Sequence, residues 1–182
     1  MGGAVTGPVV VLVGVPGAGK STVGRGLAER LGVSFRDTDA DIEAAAGRSI
    51  PDIFVESGEP EFRRLEEAAV DQALSEHAGV LSLGGGAVLS AQTRERLAGR
   101  PVAWLRVGLA AASQRAGLSG ARPVLLGNVR AQMKALMDAR APLYAQVARI
   151  TVDTDALPVD ETVQAIVDGL ALGDHEGSRA DA

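Results

Sequence analysis

The chain has 182 residues, 46% apolar and 23% charged, which predicts one globular domain over 1–182 and excludes a disordered chain. A formal net charge of -5 offers no global positive field for nucleic acid or an anionic membrane, so any anion must be held locally. The absence of cysteine, with only His77 and His175, excludes disulfides, thiolate or imidazole-rich metal sites and a thiol nucleophile, and it suits a reducing cytoplasm. In chain order, residues 8–13 form a continuous apolar, β-branched run, the pattern of a strand buried on both faces. That run is far short of the ~20 residues that cross a bilayer and has no basic stretch ahead of it, so neither a membrane span nor a signal peptide is expected. A helix follows over 20–31 with Gly32 as its stop, then a short strand at 35–38.

Residues 39–77 read as helices with no strand between them: 39–46 ended by Gly47, 49–56 opened by a Ser49/Asp52 capping pair, and 59–76 with Pro60 in its first turn. A substrate-binding excursion would sit there. The sheet resumes at 80–83, followed by Gly84-Gly85-Gly86, a helix at 91–97, a strand at 102–107 and a helix at 109–116. Residues 117–128 have three glycines, a proline and little periodicity, which predicts a mobile loop suited to a lid. A helix over 129–141, a strand at 150–152 and a helix over 159–172 complete a core of about 8–172, with a frayed tail at 173–182. Five strands separated by helices predict a parallel α/β sandwich.

Gly14-Val15-Pro16-Gly17-Ala18-Gly19-Lys20-Ser21 matches G-x-x-x-x-G-K-[ST] between a predicted strand and a predicted helix, the context a phosphate-binding loop requires. Backbone N–H groups and the helix N-terminus would cradle phosphates, Lys20 would reach the β/γ-phosphates, and the Ser21 hydroxyl could ligate Mg²⁺. Of 18 basic residues only Lys20 and Lys134 are lysine, so a lysine retained at position 20 stands out. No N-K-x-D guanine-reading segment is present, which favours a small-molecule kinase over a GTPase.

Asp37 and Asp39 fall at the end of the second strand, where open parallel sheets place ligands, and could divide metal binding from activation of an attacking hydroxyl. The competing reading of Asp39 is an N-cap. Arg63 and Glu66 are i,i+3 neighbours, so Glu66 could hold the guanidinium toward a planar anion; an exposed helical ion pair competes. Three glycines directly after a strand suggest close approach of backbone to a ligand. Arg115 and Arg122 bracket the predicted lid, where Arg122 could reach transferring phosphate, and Arg140 could add a second fork for an anion.

The P-loop GVPGAGKST, the DTD at 37–39, EFRRLEE at 61–67, LSLGGGA at 81–87, RPVL from Arg122 and RAPLY from Arg140 occur in an order and spacing that resemble shikimate kinase over about 8–172. The resemblance implies a three-layer, nucleoside-monophosphate-kinase-like fold with a five-stranded parallel sheet, ATP with Mg²⁺ as donor and shikimate as acceptor. It implies that Asp39 contacts the acceptor hydroxyl, that Arg63 and Arg140 grip the carboxylate, and that Gly84, Gly85 and Gly86 line the acceptor. It further implies Lys20 and Arg122 on the phosphates, Ser21 and Asp37 at the magnesium, Gly17, Ala18, Gly19 and Thr22 in the nucleotide loop, and Arg115 against adenine. Pro158 falls in the segment matching the adenine loop, where many relatives carry an arginine that 154–159 lacks. The expected protein is a cytoplasmic monomer that transfers the ATP γ-phosphoryl group to the 3-hydroxyl of shikimate. A related hydroxy-acid kinase such as gluconate kinase and a nucleotide-binding regulatory module are the alternatives.

Overall fold

Burial explains why the apolar runs become strands. The computed structural model describes residues 7–115 and 123–172. Every residue of β1 (Val10–Val13) and β3 (Val80–Ser82) is buried, as parallel strands covered on both faces must be. With β2 (Phe35–Asp37), β4 (Val102–Arg106) and β5 (Ile150–Asp153) they form one parallel sheet in the order β2-β3-β1-β4-β5. The edge strand β5 alternates instead, burying Val152 between exposed Thr151 and Asp153. Helix α1 (Lys20–Leu31) packs on α7 (Val159–Gly169), and α6 (Pro123–Val147) packs on α4 (Ala91–Leu97) and α5 (Leu109–Arg115), giving the three-layer α/β sandwich. The chain leaves central β1 toward β2 on one side and later crosses to β4 on the other. That reversal puts a ligand crevice at the carboxyl end of β1.

Between β2 and β3 the chain forms α2 (Thr38–Ala46) and α3 (Ile50–Glu76), with no strand. Ser49 Oγ accepts the Asp52 N–H at 3.3 Å, and Gly58 breaks α3 with φ 81° and ψ 167°, between the two helices expected over 49–56 and 59–76. This excursion has a small apolar cluster of its own, Ile42, Ile53 and Phe62, with the Phe54 and Phe62 rings 4.5 Å apart.

The predicted loop over 117–128 needs correction. Residues 117–122, Arg122 among them, lie outside the described residues, as does the tail at 173–182, but 123–128 are the start of α6 and not loop. Pro123 is at the first helical position, where its missing N–H and fixed φ are no handicap. At the other end α6 runs past Pro142 to Val147, because Tyr144 and Val147 are buried in the main core and hold the last turns in place. No helix among the described residues is long and apolar enough to cross a membrane.

Candidate active site

The loop from Gly14 to Gly19 turns tightly between β1 and α1 because Gly17 and Gly19 adopt φ of 84° and 88°, a left-handed backbone that glycine enters without steric penalty. No acidic residue occupies the first turn of α1, so the positive end of the helix is left for an anion. Lys20 folds back over its own loop and donates to the carbonyls of Gly14 at 2.7 Å and Val15 at 3.1 Å. Burial lowers its pKa to about 8, against the opposing pull of Asp39 and Asp37.

β2 ends at Asp37, which is the N-cap of α2: one oxygen accepts the Asp39 N–H at 2.9 Å and the other accepts from Ser21 Oγ at 3.2 Å. The cap is therefore Asp37 and not Asp39. Freed from capping, Asp39 sits in the first turn of α2, where burial, then the negative charges of Asp37 and Glu66, raise its pKa to about 6 in spite of Lys20. Lys20, Ser21, Thr22, Asp37, Asp39 and Arg115 share the wall of one cavity of about 420 Å³ with Gly17 and Gly19.

The three glycines lie where Asp39, Glu66 and Arg63 crowd the chain. A Cβ at Gly84 would stand 2.5 Å from Asp39 Oδ1 and 2.8 Å from Glu66 Oε1, and one at Gly86 would collide with the Arg63 guanidinium. Only glycine permits that approach. The fully buried Thr38 accepts the Gly84 N–H at 3.1 Å and ties this loop to the head of α2. Glu66 is 3% exposed and accepts from Arg63 Nη1 at 2.7 Å, so the Arg63–Glu66 pair is an enclosed one and not a solvated helix pair. Arg63 lies over the Phe62 ring, and its other edge is held by exposed Glu59 at 3.2 Å, a bond that an incoming carboxylate can replace. From α6, Arg140 reaches the same cluster: it acts electrostatically on Lys20, Glu66 and Tyr144.

Arg115 closes the P-loop side of the site. Its guanidinium donates to the Ala18 carbonyl at 3.4 Å, to Thr154 Oγ1 at 3.3 Å and to the Thr154 carbonyl at 3.2 Å. Beside it a cavity of about 190 Å³ is lined by Ala18, Thr22, Arg115, Thr154, Leu157 and Val159. Pro158 is not among the lining residues; it is exposed and precedes α7, while its neighbours Leu157 and Val159 supply the apolar wall.

Ser21 and Asp37 fit a magnesium ion: both are hard oxygen donors, and their 3.2 Å separation is close to the ~3 Å between adjacent ligands of an octahedron with 2.0 to 2.1 Å bonds. Among the described residues no cluster of three acidic or histidine side chains could hold a metal ion.

The family model described as shikimate kinase matches residues 16–171. The chain belongs to the shikimate kinase family. The shikimate kinase of Saccharopolyspora erythraea is 59% identical over 162 residues, covering 88% of this chain and 93% of the relative. The structure of shikimate kinase from Acinetobacter baumannii in complex with shikimate matches with a TM-score of 0.81 at 37% identity, over 90% of this chain and 92% of that one. A gluconokinase from Sinorhizobium meliloti aligns over 91% of this chain and 93% of its own with a TM-score of 0.55 at 23% identity, a likeness of fold alone.

Within the family frame, four residues escaped sequence reasoning. Thr38 looked like the middle of a DTD run, and Leu157 and Val159 like ordinary apolar residues before a helix. Tyr144 was quoted only as part of the RAPLY run, yet it is buried against the glycine loop. Its position two residues after Pro142, where a helix would be expected to have ended, was the one available signal that tertiary contacts continue α6.

Proposed function

We propose that this protein transfers the γ-phosphoryl group of ATP to the 3-hydroxyl of shikimate, releasing ADP and shikimate 3-phosphate. The observation that carries the proposal is the meeting, at one cavity, of the P-loop Lys20 with a carboxylate, Asp39, whose pKa is raised toward neutrality. A module that only bound nucleotide would have no use for such a group. When bound, magnesium would be held on the Ser21 and Asp37 side and would neutralise phosphate charge. Asp39 takes up the proton of the attacking hydroxyl, Lys20 leaves its own loop carbonyls for the phosphate oxygens, and Arg63 and Arg140 hold the acceptor carboxylate. Arg115, anchored on Thr154, walls the adenine side.

Coupled ADP release with shikimate as sole acceptor, and then with gluconate, tests this reading. Shikimate-dependent release with none for gluconate is expected; acceptor-independent binding without release would overturn it.

Two substitution experiments follow from the geometry. Arg63→Ala or Arg140→Ala removes a charge-assisted bond of ~1.5 to 3 kcal/mol, so shikimate affinity falls roughly ten- to over a hundredfold while ATP affinity barely changes. Calorimetric titration with each ligand checks it, and collapse of ATP binding with shikimate binding retained would reverse the assignment. Asp37→Asn weakens the acidic oxygen next to Ser21, so the magnesium concentration for half-maximal rate rises; an unchanged magnesium dependence would remove Asp37 from the metal side.

A further inference from the structure

We propose that Tyr144 is a positioning residue for the acceptor: its hydroxyl fixes the glycine loop that faces Arg63. This rests on the kinase reading above. Tyr144 is 1% exposed and is the largest fully buried side chain among the described residues. Its ring lies 5.6 Å from Trp104, the chain's single tryptophan, and its hydroxyl donates to the Gly85 carbonyl at 2.5 Å across 59 residues of sequence.

The Arg140 guanidinium acts electrostatically on the same hydroxyl. The carbonyl can only accept, so the hydroxyl proton goes to Gly85 and the oxygen lone pairs are left on the other side. Burial raises the Tyr144 pKa to about 12, so the donor is present throughout the working range of pH.

The consequence reaches the acceptor through the glycine loop. The Gly85 carbonyl and the Gly86 N–H belong to one planar trans peptide and point in opposite directions, so tethering the carbonyl to α6 orients the Gly86 N–H away from α6. Among the described residues neither the Gly85 nor the Gly86 N–H has a recorded acceptor, whereas Gly84 and Ala87 both donate within the protein. The Arg63 guanidinium packs directly against Gly86. One hydroxyl therefore sets the orientation of the backbone donors beside Arg63.

The test is Tyr144→Phe, which keeps the ring and its packing on Trp104 and removes the hydroxyl alone. With shikimate and ATP each varied in the ADP-release assay, the KM for shikimate should rise about tenfold, the loss expected for one buried hydrogen bond, and the KM for ATP should stay within about twofold. A double-mutant cycle with Arg63→Lys should show non-additive effects on the shikimate KM, because both changes act on the Gly85-Gly86 peptide. Near-ultraviolet circular dichroism of Trp104 and the thermal midpoint report whether packing survives. An unchanged shikimate KM, additive effects in the cycle, or equal rises in both KM values with a lowered thermal midpoint would overturn the positioning role. Wild-type protein that releases ADP with shikimate while the variant behaves identically counts against Tyr144 alone; wild-type protein inert toward shikimate overturns the kinase reading and this role with it.

Discussion

Asp39→Asn is expected to lose turnover by about 10² to 10⁴-fold, the contribution of a positioned proton acceptor, and to gain stability above neutral pH. The loss follows from basicity: asparagine retains the shape and a hydrogen-bonding oxygen but cannot take the proton of the attacking hydroxyl. The gain follows from linkage. The folded protein holds the Asp39 proton up to pH about 6 while the unfolded chain releases it near 3.8, so the folded state binds more protons across that window and stability falls as pH rises through it. The penalty is complete above pH 6, where the buried carboxylate is charged beside Asp37 and Glu66, and a neutral asparagine removes it. Thermal midpoints of wild type and variant should coincide near pH 3 to 4 and separate, in favour of the variant, at pH 8. A variant that is less stable at pH 8, or one that retains full turnover, contradicts the assigned role. In the wild-type protein the same carboxylate should give kcat/KM an acidic limb near pH 6. Lys20, with its ammonium lost above about pH 8 in the free protein, should give the alkaline limb.

Lys20→Ala is expected to lower turnover by about 10² to 10³-fold, the range for removing one preorganised donor from a transition state, with the fold intact. Stability should survive because Lys20 lines the cavity and its Nζ donates to the carbonyls of its own loop, Gly14 and Val15, and to no other element. Lys20→Arg should fail nearly as badly. The planar guanidinium cannot occupy the compact position between the loop carbonyls and the carboxylates of Asp37 and Asp39, and it would not lose its proton near pH 8. Single-turnover rates at saturating ATP, measured beside nucleotide affinity and a circular dichroism melt, separate chemistry from binding and folding. Near-native single-turnover rates in Lys20→Ala would remove the side chain from phosphoryl transfer.

How far the sequence determined these roles depends on the range of the interactions involved. The P-loop was legible because its function is local: eight consecutive residues carry the glycines, the lysine and the hydroxyl, and the flanking strand and helix are written in continuous apolar and 3.6-residue patterns. The break of α3 at Gly58 and the cap at Ser49 were legible for the same reason. The start of α6 was not, since Gly127 and weak periodicity resemble a loop and nothing in residues 123–128 signals a helix except the proline at its first position. Its extension beyond Pro142 depends on Tyr144 and Val147 finding the core, a contact between residues far apart in the chain.

The division of labour at the strand end shows the same limit. Asp37 and Asp39 were both visible, but an extended i,i+2 relation put them on one side of a strand, whereas the chain turns into α2 at Asp37 and makes that residue the cap. Only folding placed Glu66, from 27 residues further on, beside Asp39, and only folding buried the two together enough to lift both pKa values. Desolvation and charge repulsion act through space and carry no signature in residue order. The sequence by itself therefore determined the family, the sheet and the nucleotide loop; the tertiary structure decided which carboxylate caps α2, which is buried so that its pKa rises, and that a tyrosine 59 residues from the glycine loop bonds to that loop.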